Sequence, residues 1–279
     1  MAAANSISGF FADLGASLKS IVKIALESRA ARIRPTAREG ASLIILGNGP
    51  SLNRTMEEQS ASLEANPLMA VNFAANAPQF DHLRPDYYIL VDPVFFRDLT
   101  NANVARLWER LRDVSWPMDL FIPAGVTLPA TLPANLTVIR FNPVGVEGFR
   151  FLENFAYSRG LGMPRPRNVL IPAIMVGIAL GYKKIYLAGA DHSWTRTLEV
   201  TDENVVVSVQ PHFYEDNEAE HARVASVYKD IRLHEIMLSF HIAFRSYFSI
   251  RRFASRQGCE IINSTPGSFI DAFTRAPLP

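Results

Sequence analysis

Residues 42–51, SLIILGNGPS, decide the fold. Ser42 to Leu46 form a short, almost continuously apolar run that stops abruptly at Gly47-Asn48-Gly49-Pro50-Ser51. Such a run, bounded by turn residues, is what a parallel strand needs when helices cover both of its faces. In an open parallel sheet the ligand sits outside the carboxyl ends of the strands, so the turn after this first strand is the place to look for a site.

Working outward, the same pattern recurs. Leu68–Phe73 (LMAVNF), Tyr87–Val91 (YYILV), Asp119–Ile122 (DLFI), Thr137–Phe141 (TVIRF), Lys184–Ala188 (KIYLA) and Glu260–Asn263 (EIIN) all read as strands. Helical stretches fall near 56–65, 103–113, 169–181 and 217–256. This alternation predicts a doubly wound, mainly parallel, Rossmann-like α/β sheet with a helical C-terminal part. Residues 123–136, rich in Pro and Ala, read as a surface connection, and 158–168 as a mobile loop. The polar stretch 195–216 reads as an inserted loop or lid, with a hairpin arm at Val205–Val209. The closing residues 277–279 are expected to fray. The chain divides into a leader, 1–40, and one α/β domain, 41–279.

The turn residues can do specific things. Gly47 and Gly49 would let a ligand approach the backbone, Asn48 can donate and accept, and Pro50 fixes the turn. Thr55 and Glu58 have the spacing of a capping box, and amides at the helix start could hold a phosphate. The spacing is neither a Walker A loop, since no GK[ST] follows, nor the dinucleotide fingerprint, whose third glycine position is Leu52. Asn72 closes the second strand and Asp92 the third, so Asn48, Asn72 and Asp92 are expected at one sheet edge. Each also suits a plain turn or cap.

The second half carries its polar residues straight after KIYLA, at Gly189-Ala190-Asp191-His192-Ser193-Trp194. Asp191 is placed to hold a ribose hydroxyl or orient a base, and His192 to meet phosphate. His212, in a polar loop, has the residue type of a general base. Asp191, His192 and His212 are alternatively a metal set. His234-Glu235 opens like HExxH, but position 238 is Leu238, so that zinc motif fails. Arg251, Arg252 and Arg256 suit either an anionic acceptor or a helix C-terminus. Phe240, Phe244, Tyr247, Phe248 and Phe253 are expected in the core.

Residues 6–34 begin with Ile7, Phe10, Phe11, Leu14, Leu18, Ile21, Val22 and Ala25 at helical spacing, beside Lys19, Lys23, Arg29, Arg32 and Arg34. This is an amphipathic helix, packed on its own domain or a second subunit, or lying on an anionic membrane surface. The net charge of +1, from 28 basic and 27 acidic residues, gives no global pull toward nucleic acid. The lone Cys259 excludes an internal disulfide and a CxxC zinc site and suits a reducing cytoplasm. The run Ile171–Leu180 is about half of the ~20 residues a membrane span needs.

Residues 44–52 (ILGNGPSL preceded by Ile44) and 178–191 (IALGYKKIYLAGAD) resemble the opening loop and central strand of glycosyltransferase family 42, the bacterial sialyltransferases, whose sheet is a GT-A-like variant. Both also resemble a wider set that includes motility-associated factors, which glycosylate flagellin, and hydroxymethylpterin pyrophosphokinase-like proteins. The resemblance implies that Asn48, Gly49, Ser51 and Asn72 contact a cytidine nucleotide sugar, and that His212 deprotonates the acceptor hydroxyl. The implied reaction moves an acidic, nonulosonic-type sugar from CMP to a glycan or lipid-linked glycan, with no cofactor required; the basic amphipathic N-terminus would suit work in the cytoplasm beside the inner membrane face. The chain departs from family 42 at Ser193 and Glu199, where tyrosines would stand, and at Asp92, where an asparagine would. The aspartate is closer to the pyrophosphokinase-like and motility-factor branches, and the first of these implies instead an ATP- and magnesium-dependent diphosphokinase using Asp92 and Asp191. A third reading is a nucleotide-binding protein without catalysis.

Overall fold

The computed structural model describes residues 2–208 and 231–279. The expected base His212, the end of the 195–216 insertion and residues 217–230 of the helix expected over 217–256 lie outside the described residues.

Among the described residues, eight strands form one sheet: β1 Ser42–Leu46, β2 Leu68–Val71, β3 Tyr87–Ile89, β4 Met118–Pro123, β5 Leu136–Phe141, β6 Lys184–Ala188, β9 Glu260–Asn263 and β10 Thr274–Arg275. Their spatial order is β10-β9-β6-β1-β2-β3-β4-β5, and every pairing is parallel. The chain therefore winds outward from β1 to β5, crosses back, and continues on the other side through β6. The topological switch point lies between β1 and β6. A separate antiparallel hairpin joins β7 Leu198–Val200 to β8 Val206–Ser208, at the expected arm.

The apolar runs explain the two-sided packing. Leu43 and Ile45 of β1 enter one core, with Ile185 and Leu187 of β6, while Ile44 and Leu46 enter another with Tyr186 and Ala188. Side chains alternate across a strand, so both alternating sets must be apolar when both faces are covered. The first core is covered by α8, Leu170–Ala179, in which Leu170 to Ile178 are all buried. Each fully buried aliphatic side chain there contributes about 1.5–3 kcal/mol. Gly177 lets that helix sit close, because a Cβ would lie 2.8 Å from Leu43 Cδ2. The second is covered by α2, Ser51–Glu58, and α3, Ser60–Ala65, through Leu52 and Leu63. The C-terminal helix α9, Leu233–Arg256, adds Tyr247, Ile250 and Phe253 to the first core.

Five expectations change. Residues 150–158 form a helix, α7, where the apolar spacing predicts none. The 158–168 stretch is tied down, since the Met163 amide donates to the Val144 carbonyl and the Val146 amide to the Met163 carbonyl. Thr55 is no cap: it lies inside α2, where its hydroxyl bonds the Ser51 carbonyl, and Glu58 pairs with Arg54. The tail is docked, with Leu278 buried and its amide donating to Gln59 Oε1. The leader helix, α1 Ala2–Glu27, ends earlier than 34, and Ser28 to Arg38 run on as a strap without regular structure. No helix among the described residues is long and apolar enough to cross a membrane.

Candidate functional site

The carboxyl ends of β1, β2, β6 and β9 bring most of the expected residues to one edge. At the switch point two loops clasp each other. The Gly47 amide donates to the Ala188 carbonyl at 2.7 Å, and the Gly49 amide to the Gly189 carbonyl at 2.9 Å. Ser51 Oγ donates to Asp191 Oδ2 at 2.7 Å, and Pro50 leads into α2 without a side-chain cap. The glycines therefore have a different reason from the one expected. A Cβ on Gly47 would lie 2.4 Å from the Gly189 oxygen, and one on Gly49 1.9 Å from Asp191 Oδ2. Their missing side chains make room for the β6 loop, and the Gly49 amide is spent on protein rather than offered to phosphate.

Beside this clasp lie two side-chain amide oxygens without hydrogen-bond partners. Asn48 Nδ2 donates to the Val71 carbonyl at 3.2 Å, which fixes the side chain between β1 and β2. Its Oδ1 is buried without a hydrogen-bond partner, as is Oδ1 of Asn72. Register pairs Leu46 with Ala70, so Asn48 and Asn72 each lie two residues past the last paired positions of the neighbouring strands β1 and β2. Asn72 also sits at φ 51°, a left-handed conformation that costs a non-glycine residue about 1–2 kcal/mol. Strain and an orphaned acceptor at one position are the usual marks of a ligand contact. Asp92, by contrast, is exposed and accepts the Val94 amide at 2.9 Å, capping the short α5, Val94–Arg97. β1 and β2 separate its strand from that of Asp191, so strand spacing puts the two aspartates roughly 14 Å apart. That exceeds what one magnesium ion bridges.

His192 is turned inward. It is 8 % exposed, at φ 50°, and its ring stands 4.1 Å from that of Trp194. Burial pushes its pKa down to about 3, so the imidazole is neutral. Tyr247 Oη donates to Asn168 Oδ1 at 3.0 Å and lies 2.6 Å from His192 Nε2. The phenol has one proton, so Nε2 carries the imidazole proton and donates it to Tyr247. Asn168 Oδ1 also accepts the Leu170 and Ile171 amides and so caps α8. The expected phosphate contact from His192 is thus replaced by a core hydrogen bond. Ser193 opens a short turn, its carbonyl accepting the Arg196 amide.

Three contributors were not foreseen. Asn168 Nδ2 and Ser264 Oγ are buried without partners, like the two amide oxygens above. The loop after β9 buttresses Asp191: Thr265 Oγ1 accepts the Ala190 amide, Ser268 Oγ donates to the Ala190 carbonyl, and the Phe269 amide donates to the Asp191 carbonyl. An Asn-Ser-Thr run straight after an apolar strand was the available signal. No three His, Cys, Asp or Glu side chains gather as a metal set among the described residues. Cys259 is buried, which pushes its thiol up to about 12. Cavities also lie elsewhere, one of about 280 Å³ beneath the 31–35 strap, between α7, α8 and α9.

No family model matches this chain, and no curated protein matches it. Among solved structures it is similar to a MAf glycosyltransferase from Magnetospirillum magneticum AMB-1, at 13% sequence identity and a TM-score of 0.49. The similarity covers 90% of this chain and 34% of the other, so the chain spans about a third of the protein it resembles.

Proposed function

We propose that this chain is a glycosyltransferase whose nucleotide-activated donor lies over the carboxyl ends of β1, β2 and β6. The observation that carries this reading is the pair of buried, partnerless amide oxygens at Asn48 and Asn72, one of them on strained backbone. Leaving such a group unpaired costs about 1–3 kcal/mol, which a ligand donor would return. Neutral amide acceptors suit the N–H groups of a base, such as the exocyclic amine of cytosine, better than a phosphate. The cytidine donor and its acidic, nonulosonic-type sugar rest on the two resembling segments, 44–52 and 178–191.

In this reaction an acceptor hydroxyl of a glycan or lipid-linked glycan attacks the anomeric carbon. Its C–O bond forms as the bond to the CMP phosphate breaks, and the configuration inverts. The hydroxyl proton passes to His212, and CMP departs with the electron pair. Asp191, held by Ser51 and the loop after β9, offers its second carboxylate oxygen to a ribose hydroxyl. Neither step calls for a metal ion.

The test is nucleotide release from CMP-N-acetylneuraminate, and from UDP- and GDP-sugars, with and without magnesium. Metal-independent CMP release that rises with a glycan acceptor is expected. His212→Ala should lower that turnover by on the order of 100-fold while donor binding persists. Full activity in the variant would remove His212 from the base role. Magnesium-dependent ATP consumption without sugar transfer would replace this reading with diphosphokinase chemistry.

A further inference from the structure

α1 is held to the rest of the chain by its small polar face. Ser17 and Ser20 are buried. Ser17 Oγ accepts the Phe149 amide, Ser20 Oγ accepts the Glu147 amide and donates to its carbonyl, and Ser28 Oγ donates to the Leu161 carbonyl. Gly148, at φ +125°, allows the approach, since a Cβ would stand 2.2 Å from Ser17 Oγ. Fixing that face aims the apolar stripe elsewhere. Phe11 is 64% exposed, Leu18 58% and Leu26 68%, and Ile7, Ile21 and Val22 are exposed with them. α7 adds Phe151 and Phe155, one turn apart and exposed 74% and 54%. The two helices join through aromatic contacts, Phe10 to Phe149 at 5.4 Å and Phe149 to Phe151 at 5.9 Å. A contiguous exposed apolar surface of this kind marks a docking site.

Its border carries positive charge. At 3.6 residues per turn the stripe spans roughly 140° of α1, and Lys19 and Lys23 follow along its far margin. Asp13 and Glu27 fall beyond them, toward the buried side. Arg159 lies over the Phe155 ring at 5.6 Å. Exposed Arg29, Arg32 and Arg34 follow the helix, and the other margin of α7 forms with α9 a cleft of about 460 Å³ whose charged lining is Arg150, Arg251, Arg252 and Arg256 with one carboxylate, Glu153.

We propose that α1 and α7 dock this chain in the plane of an anionic bilayer, with the stripe among acyl chains and the cations on lipid phosphates. A second copy would bring the same cationic borders together, and an outward helix face offers a peptide no groove. The inference rests on α1 and α7 alone and stands apart from the chemistry at the sheet edge.

The experiment is co-sedimentation of the full chain with vesicles of phosphatidylcholine alone or mixed equally with phosphatidylglycerol. Variants are Phe11→Ser with Leu18→Ser, and Lys19→Glu with Lys23→Glu, at exposed positions except the half-buried Lys23, with folding checked by circular dichroism. Binding to the mixed vesicles is expected, at least about tenfold stronger than to phosphatidylcholine, and about tenfold weaker in each double variant. Equal binding to both vesicles, or unchanged binding by the variants, overturns the proposal. So does a dimer in sedimentation velocity that the serine pair abolishes in a chain that ignores vesicles.

Discussion

Replacing Gly49 with alanine tests why the first turn is built from glycine. The new Cβ would stand 1.9 Å from Asp191 Oδ2 and 2.7 Å from the Gly189 oxygen. Non-bonded heavy atoms settle near 3.5 Å, so a side chain or a loop must move by roughly 1–1.5 Å. If Asp191 swings away, it loses the 2.7 Å bond from Ser51. A hydrogen bond to a charged group contributes about 1.5–3 kcal/mol. If the backbone moves instead, the Gly49 and Gly47 amides lose their carbonyls at 2.9 and 2.7 Å. Overpacking adds about 1–3 kcal/mol on either route. The expected loss is about 3–5 kcal/mol, a large part of the stability of an ordinary domain. Urea unfolding of the ligand-free protein reads it as a lowered midpoint at unchanged slope. Gly125→Ala is the control, since a Cβ there meets nothing within 4 Å. A Gly49→Ala protein within about 1 kcal/mol of wild type, yet unable to bind nucleotide, would refute the clasp and restore ligand clearance as the glycine's reason.

His192 should make stability pH-dependent. Its pKa falls from 6.5 in the unfolded chain to about 3 in the fold. The unfolded state then binds more protons between those values, so stability is full above about pH 6.5 and falls as pH drops toward 3, by up to ~1.4 kcal/mol per unit. Thermal melts of wild type and His192→Gln across this window check it; parallel slopes would contradict it. Asn72→Gly should leave unfolding free energy unchanged or raise it by up to about 1 kcal/mol, because glycine tolerates φ 51° and no orphaned oxygen remains. A loss above about 1 kcal/mol in urea would mean that Asn72 serves the fold rather than a ligand.

Much of the sheet was legible because its strands are apolar on both faces. Lys184–Ala188 and Glu260–Asn263 coincide with β6 and β9, and Ser42–Leu46 with β1. Such runs need no partner information to be recognised. What failed depended on contacts across the chain. The glycines of the first turn were visible, but not that Gly189 and Asp191 fill the space beside them. Asp191 and His192 are adjacent in sequence, yet the left-handed backbone at His192 sends its ring into the core. The periodicity of α1 grouped its residues correctly by face. It did not tell which face packs, and the buried one is the serine face. In α7 the regular spacing belongs to exposed Phe151 and Phe155, while burial falls on Ala156 and Tyr157, so the helix lacked the usual apolar signal. Asn168 and Ser264 matter through orphaned atoms, which only three-dimensional neighbours reveal.

The central claim is that Asn48 and Asn72 hold the base of a nucleotide at the edge of β1 and β2. Calorimetric titration of the wild-type chain and of Asn48→Ala with CMP, CDP, UDP, GDP and ATP, each with and without magnesium, tests it most directly. The account predicts metal-independent preference for CMP, and affinity at least about tenfold weaker in the variant, the cost of one lost base contact. Equal CMP affinity in both proteins, or binding of ATP alone and only with magnesium, would contradict it.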